Sequence, residues 1–146
     1  MNVQRSTRHV PRLMTQDSVR HVERVLRREQ EVEAAWLFGS VAREEATTVS
    51  DLDVAVLGSA PLSSDKKATL IEELAQTTGR PVDLIDLQEA HGPIVGRIVK
   101  HGTKLFCDDT TLYATFLTRW WGEQADWAPY RRRILKERRE RWIERS

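Results

Sequence analysis

Two aspartates stand two residues apart in an otherwise apolar segment, Asp51-Leu-Asp-Val-Ala-Val-Leu57. Such a segment is typical of a β-strand, in which residues two apart point to the same face of the sheet. The carboxylates of Asp51 and Asp53 would therefore project together, while Leu52 and Val54 point into a core. Because two neighbouring carboxylates repel each other unless a cation lies between them, the pattern indicates a metal site. Hard oxygen ligands at this spacing suit Mg²⁺, which also takes phosphate oxygens from a substrate.

A Gly-Ser pair, Gly39-Ser40, precedes this strand and directly follows the short apolar run 32–38, which predicts a buried strand. Gly39 would let the backbone approach a phosphate closely, and the hydroxyl of Ser40 would hydrogen-bond to it. A short helix is predicted from Ser40 to Ala46, and its N-terminus would favour an anion. Arg43 lies one turn later, where its guanidinium would pair with a phosphate; a surface charge is the alternative.

A further strand is predicted over residues 81–87, and it carries two aspartates that point to opposite faces. Val82, Leu84 and Asp86 share one face, and Asp83, Ile85 and Leu87 share the other. Either Asp83 or Asp86 is thus a carboxylate on a largely apolar strand. The residues by themselves leave open which of the two would join Asp51 and Asp53.

The hydrophobic periodicity along the chain predicts alternating helices and strands. Helices are expected over about 17–30, 64–77 and 88–101 and from about 110 onward, and strands over 32–38, 52–57, 81–87 and 103–107. This order favours an α+β fold, α/β-like, with a small mixed β-sheet flanked by helices. We expect one domain over residues 1–108 and a C-terminal helical extension over 109–146, kinked or split at Pro129.

The cysteine count, the length of the apolar runs and the charge distribution bear on the cellular compartment and the partners. A single cysteine excludes a disulfide within the chain and fits a reducing, cytoplasmic setting. The longest apolar run is far shorter than the roughly 20 residues that span a bilayer. Residues 131–146 contain eight basic and three acidic residues, which suggests an end that faces a partner. Because glutamates are interleaved there, direct nucleic-acid binding by this end is disfavoured; the aromatic residues after 110 either cover the sheet or dock a partner protein.

Gly39-Ser40, followed after ten residues by Asp51-Leu-Asp53, resembles the signature of the polymerase-β nucleotidyltransferase superfamily. The phrase Gly39-Ser-Val-Ala-Arg-Glu-Glu45 and the short length resemble its minimal nucleotidyltransferase (MNT) branch. The resemblance covers residues from about 17 to 107. It implies that Asp83 is the third carboxylate, and that Asp51, Asp53 and Asp83 are catalytic and hold two Mg²⁺ ions. It further implies that ATP is the nucleotide donor, bound by Gly39, Ser40 and Arg43.

Many members of the MNT branch are antitoxins whose partners are ribonuclease toxins with a HEPN domain. The resemblance therefore implies an antitoxin that acts as a protein adenylyltransferase and forms a hetero-oligomer with its cognate HEPN toxin. It would transfer AMP from ATP to a tyrosine of that toxin by a two-metal mechanism. One alternative is a catalytically weak antitoxin that neutralises the toxin by binding alone, suggested by Glu44, where the branch usually has glycine. Another is a nucleotidyltransferase for a small molecule or an RNA end.

Overall fold

The structure is a computed structural model that describes residues 15–39, 51–124 and 136. The predicted helix over 40–46, the loop before Asp51 and the predicted kink at Pro129 lie outside the described residues. In chain order the elements are α1 (Gln16–Arg28), β1 (Ala34–Phe38), β2 (Leu52–Leu57), α2 (Ser64–Thr78), β3 (Val82–Asp86), α3 (Pro93–His101) and β4 (Thr103–Cys107). A further helix, α4, occupies residues 110–124.

The four strands form one mixed sheet in the order β3-β2-β1-β4. Strand β1 is antiparallel to both β2 and β4, whereas β2 and β3 are parallel. A parallel pair needs a crossover connection, and α2 supplies it between β2 and β3. The predicted α+β fold with a small mixed sheet flanked by helices is thus confirmed.

One face of the sheet packs against α1 and α2. It presents Leu52, Val54 and Val56 from the central strand, all of them fully buried. The helices contribute apolar residues at helical spacing, namely Val22, Val25 and Leu26 from α1 and Leu70 and Leu74 from α2. Removing these side chains from water is the main stabilising contribution to the fold.

The opposite face carries Trp36 and Ala55, which are register partners and are both buried. Helix α3 packs against β1, and its buried residues are Val95 and Ile98. Asp53 lies on this same face, nearer the start of β2, and is only half-buried. This face is therefore apolar toward one end of the sheet and acidic toward the other.

Helix α3 begins at Pro93, so the predicted start at Gln88 is wrong. The N–H groups of Glu89 and Ala90 each donate to the backbone oxygen of Asp86 at 3.0 Å, which makes a turn of residues 87–89. Pro93 then occupies the first helical turn, where its missing N–H costs no hydrogen bond. Helix α2 ends at Gly79, which adopts a left-handed φ of 68°.

Helices α1 and α2 each begin after a hydroxyl-bearing N-cap residue. Helix α1 is capped by Thr15, whose Oγ1 accepts from the N–H of Ser18 at 3.0 Å. Helix α2 is capped by Ser63, whose Oγ accepts from the N–H of Lys66 at 3.2 Å. In both cases the hydroxyl satisfies a free N–H of the first turn.

The chain divides into two compact units, Met1–Thr110 and Thr111–Ser146. In the second unit Phe116 and Trp120 are buried, whereas Trp121 is 64% exposed. The rings of Trp120 and Trp121 meet edge to face, with centroids 5.9 Å apart. A domain boundary between residues 108 and 109 stays a prediction. Across the described ranges, no helix combines the length and the apolar character needed to cross a membrane.

Candidate functional site

Asp53 and Asp83 are direct register partners on the parallel strands β2 and β3. Each is the second residue of its strand, so both lie at the same end of the sheet. Register partners on neighbouring strands share a face and lie close together. The backbone N–H of Leu52 donates to the oxygen of Pro81 at 2.7 Å, which fixes this register directly beside the two carboxylates.

Asp51 precedes β2 by one residue and is exposed. Being two residues from Asp53 along an extended chain, it belongs to the same side of the sheet. Asp53 itself is half-buried and Asp83 is exposed. Of the three predicted carboxylates, the structure pairs Asp53 with Asp83 at one edge of the sheet, while Asp51 lies one residue before β2.

Gly39 ends β1 at this same edge and lies against Asp53. A Cβ atom on Gly39 would overlap the Oδ2 atom of the Asp53 carboxylate and would lie 3.0 Å from its Cγ. The φ angle of Gly39 is 71°, in the left-handed region that favours glycine. Glycine is thus required here twice, once for its backbone angle and once for the close approach to Asp53. The Gly-Ser turn consequently begins beside the carboxylates.

The donor set at this edge fits Mg²⁺ bound together with a nucleotide. In the part of the chain that the structure describes, no group of three or more His, Cys, Asp or Glu side chains is ready to hold a metal ion. Mg²⁺ is commonly held by one or two carboxylates together with substrate phosphates and water, rather than by an all-protein cage. The adjacent carboxylates of Asp53 and Asp83 match that mode of binding.

Two of the predicted phosphate-binding residues, Ser40 and Arg43, lie outside the described residues, as does Glu44. Of the three residues expected to bind the nucleotide, the structure places Gly39 alone. Their roles at the phosphates therefore stay predictions.

Asp86 faces away from this edge and has a structural role. It is 6% exposed, and its carboxylate accepts hydrogen bonds from the N–H of Leu62 at 2.8 Å and of Gln88 at 2.9 Å. In register it pairs with Val56 on the face that packs against α1 and α2. The choice between the two aspartates of β3 that the sequence left open is thus resolved by the register, which sets Asp83 beside Asp53.

Arg80 is a buried charged residue near the site that the sequence analysis did not single out. It is 8% exposed, although it lies only three residues before Asp83. A buried guanidinium is stable only when other groups compensate its charge. No local signal indicates this burial, because Arg80 stands between the turn residues Gly79 and Pro81, both of which are exposed.

The sequence matches one family model, described as polymerase beta, nucleotidyltransferase, over residues 20–111. A candidate protein adenylyltransferase of Methanocaldococcus jannaschii is 32% identical over 82 residues, which cover 56% of this chain and 84% of that protein. The protein adenylyltransferase MntA of Shewanella oneidensis is 32% identical over 71 residues, 49% of this chain and 51% of that protein. The matched family range contains Gly39 and all three carboxylates.

Two solved structures resemble the fold over most of the chain. One contains a toxin–antitoxin pair with AMP-PNP; a chain of it aligns with a TM-score of 0.65 and 24% identity, covering 80% of this chain and 98% of that chain. The other is a tri-AMPylated Shewanella oneidensis HEPN toxin in complex with MNT antitoxin. A chain of it aligns with a TM-score of 0.63 and 24% identity, covering 84% of this chain and 99% of that chain. At this identity the likeness establishes the fold.

Proposed function

This chain belongs to the polymerase β nucleotidyltransferase family, and from that premise we propose that it transfers AMP from ATP to a tyrosine of a cognate HEPN toxin. In this proposal the chain is the antitoxin of the pair. Relatives named as protein adenylyltransferases support it, as does a structural neighbour that pairs an MNT antitoxin with a tri-AMPylated HEPN toxin. The single observation that carries it is the register pairing of Asp53 with Asp83 beside the turn that starts at Gly39.

The proposed reaction assigns each of these groups a role. ATP would lie with its phosphates at the Gly39-Ser40 turn, and Arg43 would pair with the β- or γ-phosphate. The tyrosine oxygen attacks the α-phosphorus; a new O–P bond forms while the bond to the β-phosphate breaks, and pyrophosphate leaves. Asp83 would accept the proton of the tyrosine hydroxyl.

Asp51 and Asp53, completed by Asp83, would hold two Mg²⁺ ions. When bound, these ions supply charge neutralisation at the phosphates and orient the attacking and leaving oxygens. The chain's own contribution is to fix the carboxylates on two paired strands, so that little reorganisation is needed when the nucleotide binds. Use of ATP and the single cysteine fit a cytoplasmic reaction.

The proposal is tested with ATP labelled on its α-phosphate, Mg²⁺ and the HEPN protein encoded by the adjacent gene. We expect label and a mass increase of whole AMP units on a tyrosine of the toxin, and neither when Mg²⁺ is omitted. Asp83→Asn should abolish labelling. Asp65→Asn removes one exposed carboxylate from α2 and should label like wild type. Label on RNA or on a small molecule, with none on the toxin, would contradict the proposal.

A second candidate is an antitoxin that neutralises its partner by binding alone. It is favoured by Glu44, which follows Arg43 at a position where the MNT branch usually has glycine. The double substitution Asp51→Ala/Asp53→Ala distinguishes the two functions when toxin activity is assayed in the presence of ATP. An adenylyltransferase should lose protection although the variant is folded, whereas a binding antitoxin should protect as well as wild type does.

A further inference from the structure

Helix α1 carries a row of arginines on its outer surface. Arg20, Arg24 and Arg28 are four residues apart, so they lie along one side of the helix and advance by about 6 Å per step. All three are exposed. Together with Glu23 and Arg27 they line an open depression of about 390 Å³. We call Arg20, Arg24 and Arg28 the arginine row.

In the part of the chain that the structure describes, the positive charges of the arginine row are largely unpaired with neighbouring acidic side chains, whereas the charges on a solvated helix face usually are paired. Arg27, which lies beside the row, donates to Glu23 at 2.9 Å and to Asp108 at 2.8 Å. Within the described residues Arg20 and Arg24 form no ion pair, and Arg28 has only a long, exposed contact of 3.6 Å with Glu73. Like charges four residues apart oppose helix formation. The row therefore costs the isolated helix stability, and an anionic ligand would offset that cost.

Positive and negative residues are also distributed unevenly along the whole chain. Residues 1–28 contain seven arginines and only two acidic residues, Asp17 and Glu23. Residues 29–130 contain seventeen acidic and eight basic residues. The beginning of the chain is thus positive although the central part is strongly negative. Such segregation favours a polyanionic partner for the positive end.

The kind of side chain in the depression indicates the class of that partner. All five lining residues are charged, and none is aromatic or aliphatic. The centre of a protein–protein interface is depleted of charged residues and enriched in aromatic ones. A row of guanidinium groups along one helix is instead the footprint of a phosphate backbone. We propose that the arginine row binds the sugar–phosphate backbone of a nucleic acid, without sequence preference, because contacts to phosphates carry no sequence information.

This surface is separate from the carboxylates. Helix α1 packs on the sheet face that carries Leu52 and Val54, whereas Asp53 points to the opposite face. Nucleic-acid binding and nucleotidyl transfer would therefore use different surfaces, and the inference does not depend on the proposed function. Substitutions in the row should leave the transfer reaction unchanged.

The test measures binding of the full chain to a fluorescently labelled RNA strand and to a DNA duplex, each of about 20 nucleotides per strand, between about 50 and 200 mM salt. Arg20→Gln/Arg24→Gln should weaken binding at least tenfold at the lower salt. It should also reduce the slope of log affinity against log salt by about 1.4 to 1.8, the value for two lost phosphate contacts. Arg20→Lys/Arg24→Lys keeps both charges and should bind nearly as wild type does.

The matched control removes the same charge elsewhere. Arg138→Gln/Arg139→Gln takes two cations from the C-terminal basic stretch and should change affinity less than twofold. Equal losses in both variants would show a general effect of net charge and would overturn the proposal. So would the absence of binding by wild type at the lower salt. The proposal is also wrong if Arg20→Gln/Arg24→Gln no longer binds the HEPN toxin while its nucleic-acid affinity equals that of wild type. The arginine row would then dock a protein.

Discussion

Asp53 and Asp83 lie side by side in register on two parallel strands, although 30 residues separate them in the sequence. The connection between them runs through α2, which packs on the other face of the sheet. Two like charges at adjacent positions destabilise a sheet unless a cation or a ligand compensates them. A cation held between these two carboxylates, as in the proposed metal–nucleotide site, would lower this repulsion.

Asp83→Asn should separate the catalytic role of this pair from its structural cost. We expect transfer to fall by about a hundredfold or more, since the proposed metal ligand and the proposed proton acceptor are lost together. Thermal stability without Mg²⁺ should stay the same or rise slightly, because one of two adjacent like charges is removed. Transfer rates and melting temperatures measured with and without Mg²⁺ check both expectations. A large loss of stability would instead assign Asp83 a structural role.

Gly39→Ala and Gly79→Ala form a matched pair. Both glycines have a left-handed φ, 71° and 68°, so each alanine should cost about 1–2 kcal/mol in backbone conformation. A Cβ on Gly79 meets nothing within 4 Å, whereas a Cβ on Gly39 would overlap Asp53. Of the two substitutions, only Gly39→Ala should therefore abolish transfer, and it should destabilise the protein more than Gly79→Ala does. Equal activity of the two variants, measured at a temperature where both are folded, would contradict the close approach seen at Asp53.

Asp86→Ala should destabilise the protein without removing its chemistry. The buried carboxylate accepts two backbone hydrogen bonds, and its loss leaves the N–H groups of Leu62 and Gln88 without this acceptor. Hydrogen bonds to charged groups contribute about 1.5–3 kcal/mol each, so we expect a loss of several kcal/mol. Urea unfolding measures the loss, and transfer assayed at low temperature should be retained. Loss of transfer in a folded Asp86→Ala protein would instead place Asp86 at the active site.

The stability of the α1–α2 contact should depend on pH through Glu29. Burial acts to raise the pKa of Glu29, but hydrogen bonds from Lys66 at 3.1 Å and from the N–H of Glu31 at 3.3 Å outweigh it, so its pKa is lowered from 4.5. A carboxylate whose pKa is lower in the folded state stabilises the fold above its unfolded pKa. That contribution disappears as the pH falls through the folded value.

Lys66→Gln should therefore lower the melting temperature at pH about 7, and the difference from wild type should shrink toward pH about 3. The effect should be small, because the side chain of Lys66 is 40% exposed and solvent screens the pair. The control makes the same Lys66→Gln change in the Glu29→Gln protein, where the difference in melting temperature that it causes should no longer depend on pH. A difference that is constant or grows at low pH would refute this assignment.

Local periodicity predicted most of the elements. Strands β2 and β4 have the bounds expected from the sequence, 52–57 and 103–107, because alternation and flanking turns are properties of the local chain. The start of α3 was wrong because the turn of residues 87–89 is organised by Asp86, whose carboxylate also binds Leu62, 24 residues away. No local pattern contains that contact.

Some features of the candidate site can likewise be predicted from the local sequence, and others cannot. The sequence by itself determined that Asp51 and Asp53 share a side of one strand and that a glycine ends the preceding strand, since both follow from the geometry of a single extended segment. Only the tertiary structure decided that Asp83, and not Asp86, is the neighbour of Asp53, and that Gly39 lies against that carboxylate. The register of two strands depends on how the crossover helix packs and on which faces are buried, and shifting it by one residue would exchange the faces of Asp83 and Asp86.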